Sequence, residues 1–338
     1  MSSQPGGEPR TYYGQPVLKQ PEWTWEVPWY LFSGGLAGAS AGLASGARLT
    51  GRPGLAATAR TVAAAAAAVS PVLLVMDLGR PQRFVNMLRV FKPTSAMSMG
   101  SWLLSAFVPA AVGSGVLGAL GHLPHLQRLA EGGAAGLGLP MCTYTAVLLA
   151  DSSIPVWHEA GHELPFVFAG SAAASAGALA SLVAPADEAT PARRLAVAGA
   201  VGELVAAEFM KHRLGELAEP YRQGDAGRWS RRATACTAAG AALLAWTGRQ
   251  PRPQHRPSPA SVPSSGGQNT RWWAQNEVGD VLGAVLVLAG GISQRWAVFR
   301  AGFVSAADPR YTVGPQRARR DARTRDAFRL GEDVPRST

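Results

Sequence analysis

The feature that most constrains this chain is an alternation: stretches almost without charge, each long enough for several helical turns, are separated by short segments that carry most of the charge. Crossing a hydrocarbon core as a helix takes about 20 predominantly apolar residues, and residues 29–47, 97–120 and 164–183 each offer a run of that order. Shorter runs fall at 61–76, 133–150, 195–210, 233–246 and 278–293. The mean hydropathy of only +0.04 would suit a soluble protein. That average is misleading, because Ala and Gly supply much of the apolar content and the charges gather in loops and at the carboxyl end. The pattern predicts an all-α polytopic transmembrane bundle of about eight spans, with basic disordered tails and no second globular domain.

Each end of the chain has its own composition. Residues 1–28 read as a polar tail followed by an interfacial anchor, where Trp23, Trp25, Trp29 and Tyr30 stand beside Glu22 and Glu26. That stretch has no apolar core ending in small residues, so no cleavable signal peptide is expected and the first span would act as the insertion signal. Residues 29–300 form the expected transmembrane domain. Within it, residues 248–275 are rich in Pro, Ser, Gly and Gln and read as a low-complexity insertion. Residues 301–338 form a basic tail, and the basic character already starts at Arg295. The two cysteines, Cys142 and Cys236, are far apart and suggest neither a disulfide framework nor an iron–sulfur cluster held by this chain.

The net charge of +10 could indicate nucleic acid, but the arginines flank apolar spans and do not line one soluble face. Orientation signals and contacts with the lipid bilayer explain them better, so no nucleic-acid partner is expected. With an even number of spans both termini share a side, and roughly 22 of the 32 basic residues fall on it against roughly 10 opposite. This places the protein in the cell membrane as a multi-pass chain with both termini in the cytoplasm.

The connection between the second and third spans is the most informative segment. Asp77 ends one apolar stretch, Gly79 permits an unusual backbone angle, Pro81 can open a short interfacial helix, and Arg83 and Asn86 then share one side of it. Asp77 is expected to pair with Arg80 or Arg83. The order Asp77-Leu78-Gly79-Arg80-Pro81, Arg83-Phe84, Asn86, Leu88-Arg89, Lys92-Pro93, Ser95, Met97-Ser98, Gly100 and Trp102 resembles the signature of the NrfD/PsrC family, the membrane subunits of polysulfide-reductase-like complexes. The resemblance resumes at residues 298–302 and 308–313, so it covers roughly residues 12–316.

Members of that family bind a quinone near the membrane surface facing an iron–sulfur partner, with a tyrosine of the fourth span at the head group. The resemblance therefore implies that Tyr144 hydrogen-bonds a quinone carbonyl, whether menaquinone or ubiquinone. It further implies an iron–sulfur subunit and a molybdopterin catalytic subunit as partners, docked on the face carrying Asp77, Arg80, Arg83, Asn86 and Arg89. Such a site also needs a second donor and a proton acceptor leading to water. His158 and Asp151 are candidates at the head group, Glu159 and Glu203 for proton transfer. Glu208 can instead pair with Lys211 or His212. No histidine lies well inside two facing spans, so no haem is expected, in agreement with the family.

Two other readings remain open. Glu203 and Glu208 would form the pathway of a proton-coupled transporter or channel, although no inverted repeat of broken helices is visible. His158-Glu159-Ala160-Gly161-His162 satisfies the pattern of zinc peptidases, in which two histidines on one helical face hold the metal.

Overall fold

The computed structural model describes residues 18–249 and 269–313, leaving aside the side chains of Pro81 and residues 269–277. Among the described residues the regular structure is helical throughout. Eight helices of 20 or more residues make the bundle: α1 (Glu26–Leu49), α2 (Pro53–Leu78), α4 (Ala96–Leu120), α5 (Pro124–Ala150), α7 (Leu164–Val183), α8 (Thr190–Leu214), α10 (Gly224–Arg249) and α11 (Asn269–Ala307). Between them lie the short helices α3 (Pro81–Met87), α6 (Pro155–Glu159) and α9 (Glu219–Arg222). Five of the long helices, α2, α4, α5, α7 and α11, are long and apolar enough to cross a membrane. α1, α8 and α10 are of similar length and pack into the same bundle.

The long helices alternate in direction, so every other connection lies at the same end. What we call the near end carries residues 18–25, α3, α6, α9 and the close of α11. The far end carries the α1–α2, α4–α5 and α7–α8 turns. α1 is central and packs against α2, α5, α7 and α11. Its small residues make this possible. A Cβ at Gly38 would lie 2.5 Å from the carbonyl oxygen of Gly138, and one at Gly138 equally close to that of Gly38. The backbones of α1 and α5 therefore touch, as small residues allow in membrane helix packing. Ala, which contributes little hydropathy, gains contact area here by letting the helices approach.

Two clusters of charge fasten helices at the far end. Glu131 of α5 is 1% exposed and lies 2.5 Å from Arg48 of α1 and 3.4 Å from Arg60 of α2. Arg193 of α8 pairs with Asp280 of α11 at 2.9 Å, and Thr247 of α10 donates to the same carboxylate at 2.5 Å. At the near end Arg213 pairs with Glu163. Charged groups in a bundle interior persist when another element neutralises them, so each such pair fixes two or three helices that are remote in sequence.

Several expectations are corrected. The sixth, seventh and eighth spans, read as 195–210, 233–246 and 278–293, extend to 190–214, 224–249 and 269–307. Counting apolar residues finds only the part of a helix that faces lipid or core, while intrahelical hydrogen bonds run on through polar turns. Helix enters the low-complexity insertion 248–275 from both sides; its remaining residues, with tail residues 1–17 and 314–338, lie outside the described residues. Residues 301–307, assigned to the basic tail, belong to α11. Arg295, read as the start of that tail, is 1% exposed inside α11.

Glu131→Gln leaves two arginines facing a neutral amide in a buried site. It is expected to destabilise the detergent-solubilised protein by about 3–5 kcal/mol, as for other buried pairs that lose one partner. Glu208→Gln, at a side chain that is 75% exposed, should change stability by less than about 1 kcal/mol. Tryptophan-monitored thermal unfolding of both variants checks the contrast.

Candidate functional site

α2 stops at Asp77 and Leu78 because Gly79 adopts a left-handed conformation (φ 69°) that breaks the helix, as the sequence predicts. Pro81 then opens α3, also as predicted, and Arg80, Arg83, Asn86 and Arg89 are all exposed on this near-end connection. The expected partners of Asp77 are replaced by another. Its Oδ1 accepts from the backbone N–H of Thr24 at 3.0 Å and from the Thr24 hydroxyl at 2.9 Å, while Arg83 donates to the carbonyl of Leu78 at 3.0 Å. A neighbour 53 residues away in sequence outcompetes the local arginines, because the segment before α1 lies across the end of α2.

Beneath that segment is a cavity of ≈ 70 Å³ between the near ends of α1, α2, α4 and α5. Its wall is mostly apolar, with Val27, Leu31, Leu74, Met87 and Met97 among the lining residues. The polar groups at the wall are Tyr30, Asp77, Ser101 and Tyr144. Tyr144 owes its place to Gly100, since a Cβ there would come within 2.3 Å of the tyrosine ring. The Ser101 hydroxyl donates to the carbonyl of Met97 at 2.7 Å. Trp23 closes one side and stacks on Trp157, their ring centroids 5.4 Å apart. Trp157 is itself fully buried and donates from Nε1 to the carbonyl of Val298 at 2.7 Å.

A second polar centre lies deeper. Arg295 donates to the carbonyls of Leu31 (3.4 Å) and Phe168 (3.1 Å), and its guanidinium sits 3.7 Å from the centre of the Phe168 ring. Leu31 thus joins the cavity wall to this arginine. Glu203 of α8, 2% exposed, lies within electrostatic reach of Arg295 and beside Ser171. Its Oε2 and the Nη1 of Arg295 meet no hydrogen-bonding partner among the described residues.

The structure brings together Tyr144 and Asp77 but not all of the other candidates. Asp151, the residue capping α5, and His158 on α6 are exposed and do not line the cavity; His158 Nδ1 is 3.0 Å from the carbonyl of Ala150. The backbone carbonyl of Glu159 accepts from Arg213. Glu208 pairs with Lys211 at 2.9 Å, an ion pair the sequence allowed. α6 ends at Glu159, so His158 and His162 do not share a helical face, which removes the geometry a zinc peptidase needs. On the same rim, burial and then the hydrogen bond to Glu219 push the Tyr311 phenol up to about 12. It therefore stays protonated and donating at neutral pH.

Sequence reading missed Tyr30, Ser101 and Arg295. Tyr30 lay hidden among the aromatic residues of an interfacial belt, and Arg295 beside a basic tail. A charge two residues after a short span, followed by Trp296 and Phe299, was the available sign that the helix continued.

Asp77→Ala should release the segment containing Trp23 and Thr24, seen as faster proteolysis at residues 18–25. Asp77→Asn, which retains an accepting oxygen, should cleave at nearly the parent rate. Equal rates in all three proteins would show that Thr24 is held by something else.

No curated protein matches the sequence. The family described as "Polysulphide reductase, NrfD" matches residues 18–206, from the first described residue through most of α8 and more than half of the chain. That span includes α1 to α5 and hence the entire cavity, and it stops short of the region after residue 206 to which the sequence resemblance was extended. The chain belongs to the NrfD family, whose members are membrane subunits of polysulfide-reductase-like complexes.

Proposed function

We propose that this membrane subunit anchors a multi-subunit oxidoreductase and provides its quinone or quinol site in the near-end cavity. Electrons would be exchanged with an iron–sulfur subunit seated on the α3 face, and through it with a molybdopterin catalytic subunit. The observation that carries this reading is the juxtaposition of Tyr144 and Asp77 at one small apolar cavity, directly behind an exposed row of Arg80, Arg83 and Arg89.

Interconverting a quinone and a quinol moves two electrons and two protons. The chain must therefore hold the head group, keep bulk water from it and pass protons, while the electrons leave to a partner. Tyr144 would donate to one head-group oxygen from its place in the cavity wall. Asp77 would accept a proton at the aqueous rim. Leu31, Leu74 and Val27 provide an apolar slot. The free space is smaller than a quinone ring, so entry needs movement of Met87 and Met97, whose unbranched side chains adapt readily. Glu203 and Arg295, joined to the cavity wall through Leu31, would extend the proton route inward. The near end, with the larger share of basic residues, would face the cytoplasm.

Tyr144→Phe is expected to reduce quinol-linked turnover by about tenfold or more. Activity with a soluble dye that bypasses this subunit, and co-purification of the partners, should stay unchanged. Unaltered quinol turnover would remove Tyr144 from the site. A solubilised complex with neither an iron–sulfur companion nor affinity for quinols would overturn the whole reading and favour the proton-coupled transporter, for which Glu203 would be the central group.

A further inference from the structure

α8 and α10 lie side by side, and their near ends diverge into an open depression of ≈ 490 Å³, away from the cavity described above. It is lined by Glu208 and Lys211 of α8, by Tyr221 and Arg222 of α9, and by Ser230, Arg231 and Thr234 of α10. Three cations face one carboxylate, and that carboxylate is already paired with Lys211. Arg231 turns back to donate to the carbonyl of Arg222 at 3.0 Å, which draws the two guanidinium-bearing residues together at the mouth. Neither arginine makes an ion pair among the described residues.

The floor adds an independent observation. Tyr221 is 3% exposed, yet its hydroxyl has no hydrogen-bonding partner among the described residues. A buried hydroxyl left unpaired costs on the order of 1–3 kcal/mol, so an acceptor reaching it would be stabilising. Part of the neighbouring α8 surface is apolar. On α8, Val201, Val205 and Phe209 recur every four residues on an exposed stripe that runs from this depression toward the middle of the bundle. Cationic donors at the membrane surface above an exposed apolar stripe match a molecule with a phosphate at one end and hydrocarbon at the other.

We propose that this depression is a binding site for one anionic phospholipid, its phosphate held by Arg222, Arg231 and the Tyr221 hydroxyl and an acyl chain lying along Val205 and Val201. The excess of positive charge favours a head group with net negative charge over a zwitterionic one.

The test uses the full chain in mild detergent, stripped of lipid and then offered phosphatidylglycerol, phosphatidylcholine or inorganic phosphate, with retained lipid counted by native mass spectrometry and stability followed by thermal unfolding. Phosphatidylglycerol should be retained in preference to phosphatidylcholine. The Arg222→Ala/Arg231→Ala variant should weaken its retention by on the order of tenfold, whereas Arg128→Ala, on α5 at the far end, should not. Tyr221→Phe gives a readout that does not depend on the double variant folding. It should unfold at the parent temperature or above without lipid, because an unpaired buried hydroxyl is gone, and yet gain less from phosphatidylglycerol. Equal retention by the parent and both altered proteins would overturn the proposal, as would equal binding of phosphatidylcholine. Stabilisation by inorganic phosphate matching that by phosphatidylglycerol would assign the site to a free anion and likewise refute it.

Discussion

A full charge within a lipid-embedded bundle persists only where protein groups replace the water it has lost, and this requirement shapes the molecule. Arg295 is the clearest case. Carbonyl oxygens from α1 and α7, an aromatic ring from α7 and the field of Glu203 on α8 converge on a guanidinium borne by α11. Four helices are thereby held in one mutual arrangement. The Glu131 cluster does the same for α1, α2 and α5, and the Arg193–Asp280 pair with Thr247 does so for α8, α10 and α11. Because water is absent from the alternatives, a helix that slides or rotates exposes one of these groups to hydrocarbon. The penalty is steep, so the charges specify register and do more than add stability.

Small residues make the same arrangement physically reachable. Side-chain-free contacts such as Gly38 against Gly138 let backbones approach until short polar side chains and carbonyls come within reach of one another. A bundle built from leucine would have greater hydropathy and wider spacing. The two halves of the structure therefore differ in purpose: the alanine- and glycine-rich faces set distances, and the buried ions set the register.

Much of the architecture could be read directly. The bounds of α7 coincide with those predicted, and Gly79 and Pro81 shape the α2–α3 turn as their chemistry requires. Tyr144 and Asp77 were singled out on the sequence, and both line the cavity. What escaped detection has a common cause, namely dependence on partners distant in sequence. Asp77 bonds Thr24 across 53 residues, Arg295 bonds Leu31 across 264, and no local window reveals either contact. His158 and Asp151 attracted notice by residue type and by their place just after the fourth span, and the chain leaves them exposed at the edge of the bundle. Helix lengths were underestimated wherever the terminal turns are polar, as in α8 and α10.

The position of α11 in this scheme bears on how the protein is made. Val298 receives the Trp157 indole, Asp280 neutralises Arg193, and Arg295 reaches α1 and α7, so α11, the last long helix among the described residues, satisfies groups on helices that leave the ribosome well before it. A nascent chain is released amino terminus first. During that interval Trp157 lacks its acceptor, and α1 and α7 lack the guanidinium that joins them. Closing the bundle then depends on the arrival of α11, which brings the acceptor for Trp157 and the cation that joins α1 to α7.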